Sequence, residues 1–115
     1  MRVANALEVL KSGVNHDLTI EGFLVSGGET WLTDSPTEVA TSMRLYLPHT
    51  LVQEALLDEV PIWFGGPLYQ DQCVLFCRIE KGKVKPRVLQ IIREDAKYVV
   101  SFEQLYAQPN NPADA

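Results

Sequence analysis

The sequence predicts a single small domain that is mainly β and that begins like a barrel. Two β-prone runs, Leu18–Val25 and Glu29–Thr33, flank the turn Ser26-Gly27-Gly28, which is typical of a β-hairpin. Gly22 stands in the middle of the first run and indicates a bulge or a sharp bend there. A long, bent first strand that enters a hairpin is a common start of a small barrel. The 115 residues, 46% of them hydrophobic, are enough for one core.

The N-terminal segment predicts a short amphipathic helix, because apolar residues recur at Val3, Ala6, Leu7 and Leu10. Ser12-Gly13 is a stop signal for this helix. We expect the helix to close one end of the barrel; docking of a partner protein is the alternative.

The segment after the hairpin predicts one helical turn and a third strand. Ser35-Pro36-Thr37-Glu38 has the residues of a capping box, which favours a single helical turn before Ser42. Met43–Leu47 then alternates apolar and polar residues, as a half-buried strand does, and Pro48 ends it.

A second helix is predicted over Leu51–Glu59. The sequence from Thr50 to Gln53 has the residues of another capping box, and Pro61 disfavours helical geometry at the residue before it. The predicted apolar face contains Leu51, Val52, Ala55 and Leu56.

The second half predicts further strands and a flexible tail. Cys73–Ile79 is β-rich, Lys81–Lys83 suits the tip of a connection, and Val88–Ile92 predicts a fifth strand. Tyr98–Phe102 indicates a sixth strand or a strand-to-helix junction. Residues 107–115 contain two prolines and little hydrophobicity, so we expect a flexible C-terminal tail after a single domain over residues 1–106.

This order of elements resembles an OB-fold, the oligonucleotide/oligosaccharide-binding barrel. The residues that carry the resemblance are Thr19–Val25, Trp31–Asp34, Leu51–Glu59 and Val60–Gly66, within a stretch that spans residues 16–93. The resemblance implies a five- to six-stranded Greek-key barrel with one helix between strands 3 and 4 and a ligand face across strands 2 and 3. The sequence departs from the pattern at Gly65–Gln72, where the fourth strand is expected to be broken or bulged.

The charge is unevenly distributed along the chain. The net charge of −5 disfavours general attraction to nucleic acid or to an anionic membrane. Residues 1–77 carry three cations against ten acids, whereas residues 78–97 carry seven cations against three acids. Half of the ten Lys and Arg residues lie in Arg78–Arg87, which is therefore a basic segment on an acidic body.

Single-stranded nucleic acid is one candidate ligand. The resemblance implies that the barrel face and its basic loop contain aromatic rings that stack on bases and cations that contact phosphates. These residues are Trp31, Arg44, Tyr46, Lys81, Lys83, Lys85 and Arg87. The alternative for the basic run is a solvated hairpin tip that protects strand edges against aggregation.

A protein partner is the preferred hypothesis. An acidic domain with two tryptophans suits a non-enzymatic module such as an inhibitor, an immunity-type partner of a toxic enzyme or an assembly subunit, because acidic surfaces attract basic partners. The candidate acidic surface consists of Glu54, Asp58, Glu59 and Asp71. An exposed edge strand would also allow a homodimer.

No motif indicates an enzyme, a cofactor or a metal site. Phosphate-loop, dinucleotide and nucleophile-elbow patterns are absent, and His16 and His49 are isolated. Cys73 and Cys77 would share one face of a strand roughly 13 Å apart, too far for a disulfide. We therefore expect both to be small buried hydrophobic residues.

The apolar runs are too short for a transmembrane helix. Asn5, Glu8 and Lys11 interrupt the N-terminal segment, which therefore lacks the apolar stretch of a signal peptide. The sequence predicts a cytoplasmic protein that does not bind membranes; a mature secreted form that has lost its signal peptide is the alternative.

Overall fold

A computed structural model describes residues 1–104, which contain two helices and six strands. The helices are α1 (Val3–Ser12) and α2 (His49–Glu59), and a single 3-10 turn spans Thr41–Met43. The strands are β1 (His16–Ser26), β2 (Thr30–Thr33), β3 (Leu45–Tyr46), β4 (Tyr69–Glu80), β5 (Lys83–Ile92) and β6 (Lys97–Ser101). The prediction of a mainly β fold with an N-terminal helix and a helix between strands 3 and 4 is confirmed.

All six strands belong to one antiparallel sheet with the order β3-β2-β1-β4-β5-β6. Strands β1 to β4 have the spatial order of a Greek key, in which the fourth strand returns to lie beside the first. The sheet of the described residues ends at β3 and β6, so the prediction of a closed barrel is not confirmed. One reason is that β5 pairs with β4 on one side and, over Val88–Ile92, with β6 on the other, so this stretch of β5 has no free edge with which to close a barrel.

The long strands β1 and β4 form the centre of the sheet and pair along the whole of β1. Their register runs without interruption through Gly22, so of the two features predicted at this residue, a bulge or a sharp bend, the bulge is wrong. A Cβ atom at Gly22 would lie 2.8 Å from the carbonyl oxygen of Thr33 and 2.9 Å from Cγ2 of Val3. The glycine therefore allows β2 and α1 to approach β1 closely.

The hydrophobic core lies on one face of the sheet, beneath the two helices. Alternate residues of β1 and β4 are buried, as expected for strands with one solvated face. Val3 and Ala6 of α1 and Val52 and Leu56 of α2 are buried in the same cluster. The opposite face of the sheet contains the exposed ring of Phe76 and many polar side chains.

The sequence correctly predicts the C-terminal end of α1 but not the N-terminal cap of α2. α1 ends at Gly13, whose φ of 74° is the left-handed conformation that favours glycine. The predicted capping box at Thr50–Gln53 is wrong, because α2 begins at His49 without a side-chain cap. The Gln53 amide instead donates hydrogen bonds to Ser26 Oγ at 3.1 Å and to the Gly27 carbonyl oxygen at 2.8 Å, so it attaches α2 to the β1–β2 turn.

Two predictions for the segments between the strands need correction. Residues 36–37 form a turn rather than a helical turn, and a loop around Trp63 precedes β4. β4 is one continuous strand from Tyr69, and the register irregularity lies opposite Phe76/Cys77 in its pairing with β5. The tail predicted at residues 107–115 lies outside the described residues.

Candidate protein-binding surface

The exposed side of α2 carries three carboxylates, Glu54, Asp58 and Glu59, which we call the acidic α2 face. The helix buries Val52 and Leu56 on its other side, and this fixes the orientation of the acids towards solvent. Within residues 1–104 none of the three takes part in an ion pair. The structure therefore brings three of the four predicted acidic surface residues together as one uncompensated cluster.

An open groove of about 560 Å³ separates the acidic α2 face from β6. Leu51 and Ala55 of α2 and Val99 of β6 contribute apolar surface to it. No local pattern in the sequence indicates this groove, because Tyr98–Phe102 predicts only a strand or a strand-to-helix junction. Its position depends on the pairing of β6 with β5, which is a long-range feature of the fold.

Asp71 does not belong to the acidic surface, and its predicted place there is wrong. Its carboxylate is buried at the start of β4 and accepts hydrogen bonds from Arg93 Nε at 2.8 Å and from the Trp63 indole N–H at 3.1 Å. The Arg93 guanidinium also lies 4.3 Å from the centroid of the Trp63 ring. No local pattern in the sequence indicates the role of Arg93, because its partner Asp71 is 22 residues away in the chain.

The cations of the basic segment are largely paired with neighbouring carboxylates. Arg78 contacts Asp17 at 3.1 Å and Glu80 at 3.0 Å, and Lys85 lies 3.4 Å from Glu80. Hydrogen bonds from Arg78 lower the pKa of the Glu80 carboxyl and raise that of Arg78 itself. These pairs neutralise much of the positive charge that the sequence places in this segment.

Arg87 is also paired: its guanidinium donates two hydrogen bonds to the two carboxylate oxygens of Glu103, which is a bidentate ion pair. The two nitrogen–oxygen distances are 2.8 Å and 3.2 Å, and the pair lowers the pKa of Glu103. Lys81 and Lys83, at the exposed β4–β5 turn, form no ion pair with another described residue. Lys81 and Gly82 both have positive φ values, 52° and 74°, as in the tight turns that join twisted strands.

The predicted aromatic residues form a separate cluster at β2 and β3. The Arg44 guanidinium lies 4.0 Å from the centroid of the Trp31 ring, and Tyr46 meets the same ring edge-on with centroids 6.0 Å apart. Arg44 also donates to the Tyr46 hydroxyl at 3.4 Å. The three side chains thus pack on one another, and Tyr46 remains 44% exposed.

The aromatic cluster and the basic segment lie at opposite ends of the sheet. Trp31 pairs with Val25, near the C-terminal end of β1. Lys85 pairs with Arg78 of β4, which in turn pairs with Asp17 near the N-terminal end of β1. Eight residues of strand at about 3.3 Å each place the two groups roughly 26 Å apart along β1. They do not form one continuous surface.

The loop before β4 exposes apolar side chains that sequence analysis did not assign to a site. Phe64 is 91% exposed, and Ile62 is also exposed. The backbone N–H of Trp63 donates to the Leu68 carbonyl oxygen at 2.9 Å and closes the loop. This bond and the contacts of Trp63 with Asp71 and Arg93 attach the base of the loop to the start of β4 and the end of β5.

The cysteines and histidines form no catalytic or metal-binding group in the part of the chain that the structure describes. Cys73 and Cys77 are free and buried, as predicted, and burial raises their pKa values to about 12 and about 11. His49 Nδ1 is hydrogen-bonded to Thr30 Oγ1 at 2.8 Å. No cluster of three or more His, Cys, Asp or Glu side chains suited to a metal ion occurs in residues 1–104.

Comparison of the chain with protein-family models, curated proteins and solved structures finds no match. Neither described helix has the length and apolar character needed to cross a bilayer.

Proposed function

We propose that this protein is a non-enzymatic binding module that recognises a basic protein partner through the acidic α2 face. The observation that carries the proposal is the contrast between its two charged regions. Glu54, Asp58 and Glu59 are exposed and unpaired among the described residues, whereas most cations of the basic segment are bound to carboxylates. Unpaired surface charge of one sign steers and selects a partner of the opposite sign.

The alternative, single-stranded nucleic acid on an OB-like barrel, has weaker support. The rings of Trp31 and Tyr46 pack on each other and on Arg44, and they lie far from the cations of the β4–β5 turn. A strand of nucleic acid that bridged the two regions would also pass the exposed acids Asp17 and Glu21. The proposal of a protein partner does not require the barrel to be closed.

A display library of random dodecapeptides tests the proposal. We expect the peptides recovered on the wild-type protein to be enriched in Lys and Arg and to bind at least about tenfold more weakly to the triple variant Glu54→Lys/Asp58→Lys/Glu59→Lys. The matched control is Glu8→Lys/Glu29→Lys/Glu94→Lys, which changes the net charge equally at exposed sites on other elements. Peptides without basic enrichment, or equal binding to both triple variants, would overturn the proposal.

Fluorescence anisotropy with labelled single-stranded DNA and RNA tests the alternative directly. Nucleic-acid binding would weaken steeply with salt and would require the exposed cations of the β4–β5 turn. We expect no binding at low salt. Tight binding that disappears in the Lys81→Ala/Lys83→Ala variant would establish the alternative and contradict our proposal.

A further inference from the structure

β6 is the last strand of the sheet, and no other described strand pairs with its second edge. The Phe102 N–H donates a hydrogen bond of 2.8 Å to the Arg87 carbonyl oxygen, so Phe102 is one of the residues whose backbone faces β5, as are Val100 and Tyr98 at every second position before it. Only alternate residues of an antiparallel strand bond to a given neighbour. The N–H and C=O groups of Lys97, Val99 and Ser101 therefore point away from β5, and such an edge is a template for another strand.

The free edge of β6 borders the groove whose other wall is α2. Leu51 and Ala55 supply apolar surface within the groove, and the acidic α2 face supplies carboxylates along it. An extended chain in this position meets backbone donors and acceptors on one side and negative charge on the other. Recognition by an added strand uses this combination, because main-chain bonds provide affinity and side-chain contacts provide specificity.

We propose that an extended segment of the partner protein, carrying Lys or Arg, adds to the sheet as a new strand beside β6. The inference rests on the proposed function, since the same acidic α2 face selects the partner. It adds the mode of binding, which is hydrogen bonding of the partner's backbone to Val99 and its neighbours on the free edge.

The charges favour this occupant over two others. Two copies of the protein joined edge to edge through β6 about a two-fold axis would bring two acidic α2 faces together, and like charges at such a contact repel. Residues 105–115 of the chain contain no Lys or Arg, so they lack the charge that complements the groove. A basic segment of another protein complements it.

Hydrogen exchange of the full-length protein, free and bound to a peptide recovered from the library, tests strand addition. We expect the amides of Val99 and Ser101 to exchange at least about tenfold more slowly in the complex, because they gain a partner. The amides of Tyr98 and Val100, which belong to the residues that bond to β5, should change less. Binding that depends on the α2 carboxylates without slower exchange at Val99 and Ser101 would overturn strand addition and leave the proposed function intact.

A substitution provides a second, independent test. Val99→Pro removes an outward-facing donor, and proline is tolerated at an edge position whose N–H faces solvent. We expect it to weaken peptide binding at least about tenfold, whereas Val99→Thr, which retains the N–H, should bind like the wild type. If Val99→Pro does not fold, the exchange experiment still decides the question.

Two further outcomes would contradict the inference. The absence of any carboxylate-dependent peptide binder overturns both this inference and the proposed function. Sedimentation should show a monomer for the free protein. A dimer that dissociates on Val99→Pro substitution would instead assign the edge to a second copy of the chain.

Discussion

Asp71 and Arg93 form an ion pair that is almost completely removed from solvent. Arg93 Nε lies 2.8 Å from Asp71 Oδ1, and the side chains are 9% and 2% exposed for Arg93 and Asp71 respectively. The second nitrogen of the guanidinium donates to Asp71 Oδ2 at 3.2 Å and to the Pro61 carbonyl oxygen at 2.7 Å. The pair therefore joins the start of β4, the end of β5 and the loop that precedes β4.

We expect Asp71→Ala to lower the free energy of unfolding by about 3–5 kcal/mol, because it leaves a buried guanidinium without its counter-charge. The double variant Asp71→Ala/Arg93→Met should be more stable than Asp71→Ala alone, since the unpaired charge is then removed. Urea denaturation followed by fluorescence of Trp63 and Trp31 measures both. The control is Asp17→Ala, which removes an exposed partner of Arg78 and should cost less than about 1 kcal/mol. Equal losses in Asp71→Ala and Asp17→Ala would contradict this account.

Gly22→Ala should destabilise the protein by about 1–3 kcal/mol, the usual cost of excess atoms in a packed interior. The new methyl group would meet the carbonyl oxygen of Thr33 at 2.8 Å, and backbone of a paired strand cannot move without breaking its ladder. Gly28→Ala is the matched control, because a Cβ atom there meets nothing within 4 Å. Thermal and urea unfolding of the two variants should differ clearly, and similar midpoints would show that β2 and α1 do not approach Gly22 so closely.

Asp34 should act as a cap for α1 although it lies 31 residues after Val3, the first residue of the helix. Its carboxylate accepts hydrogen bonds from the backbone N–H groups of Val3 at 2.6 Å and Ala4 at 3.1 Å. We expect Asp34→Ala to cost about 1–2 kcal/mol, with a smaller loss for Asp34→Asn, which keeps an acceptor oxygen. The comparison with Asp58→Ala, an exposed acid without these contacts, separates the cap from a general charge effect. A loss in Asp58→Ala as large as that in Asp34→Ala would argue against the cap.

The elements of this fold are largely predictable from sequence because their signals are local. Alternation in β1 and β4, the stop at Gly13 and the helix that ends before Pro61 each depend on neighbouring residues. Local patterns mislead where a distant partner takes the side chain. Gln53 has the residue type and position of a capping box, yet its amide binds the β1–β2 turn.

The candidate site is less predictable, since it depends on which distant residues meet. The sequence places Asp71 in one acidic set with Glu54, Asp58 and Glu59. Only the structure shows that Arg93 neutralises Asp71. The free edge of β6 likewise follows from strand order, which no local pattern encodes. In the same way, the pairing of Arg87 with Glu103 is invisible in a count of cations.

Alkaline pH should destabilise the protein through its two buried thiols. Burial raises the pKa of Cys73 from 9.0 to about 12 and that of Cys77 from 9.0 to about 11, so the folded protein keeps protons that the unfolded chain loses. The unfolded state then binds fewer protons, and the free energy of unfolding falls as the pH rises above 9. Each thiol contributes at most about 1.4 kcal/mol per pH unit, and both act between pH 9 and 11.

Urea midpoints of the wild type and of Cys73→Ala/Cys77→Ala, measured from pH 7 to pH 11, test this dependence. The double variant should be less stable at pH 7, because truncation of buried side chains leaves cavities. Its stability should nevertheless fall less steeply above pH 9, since it has lost both titrating thiols. The pKa of Tyr69 is also raised by burial and leaves a residual decline near pH 10 and above in both proteins. Parallel curves for the two proteins between pH 9 and pH 10 would show that the thiols do not control alkaline stability.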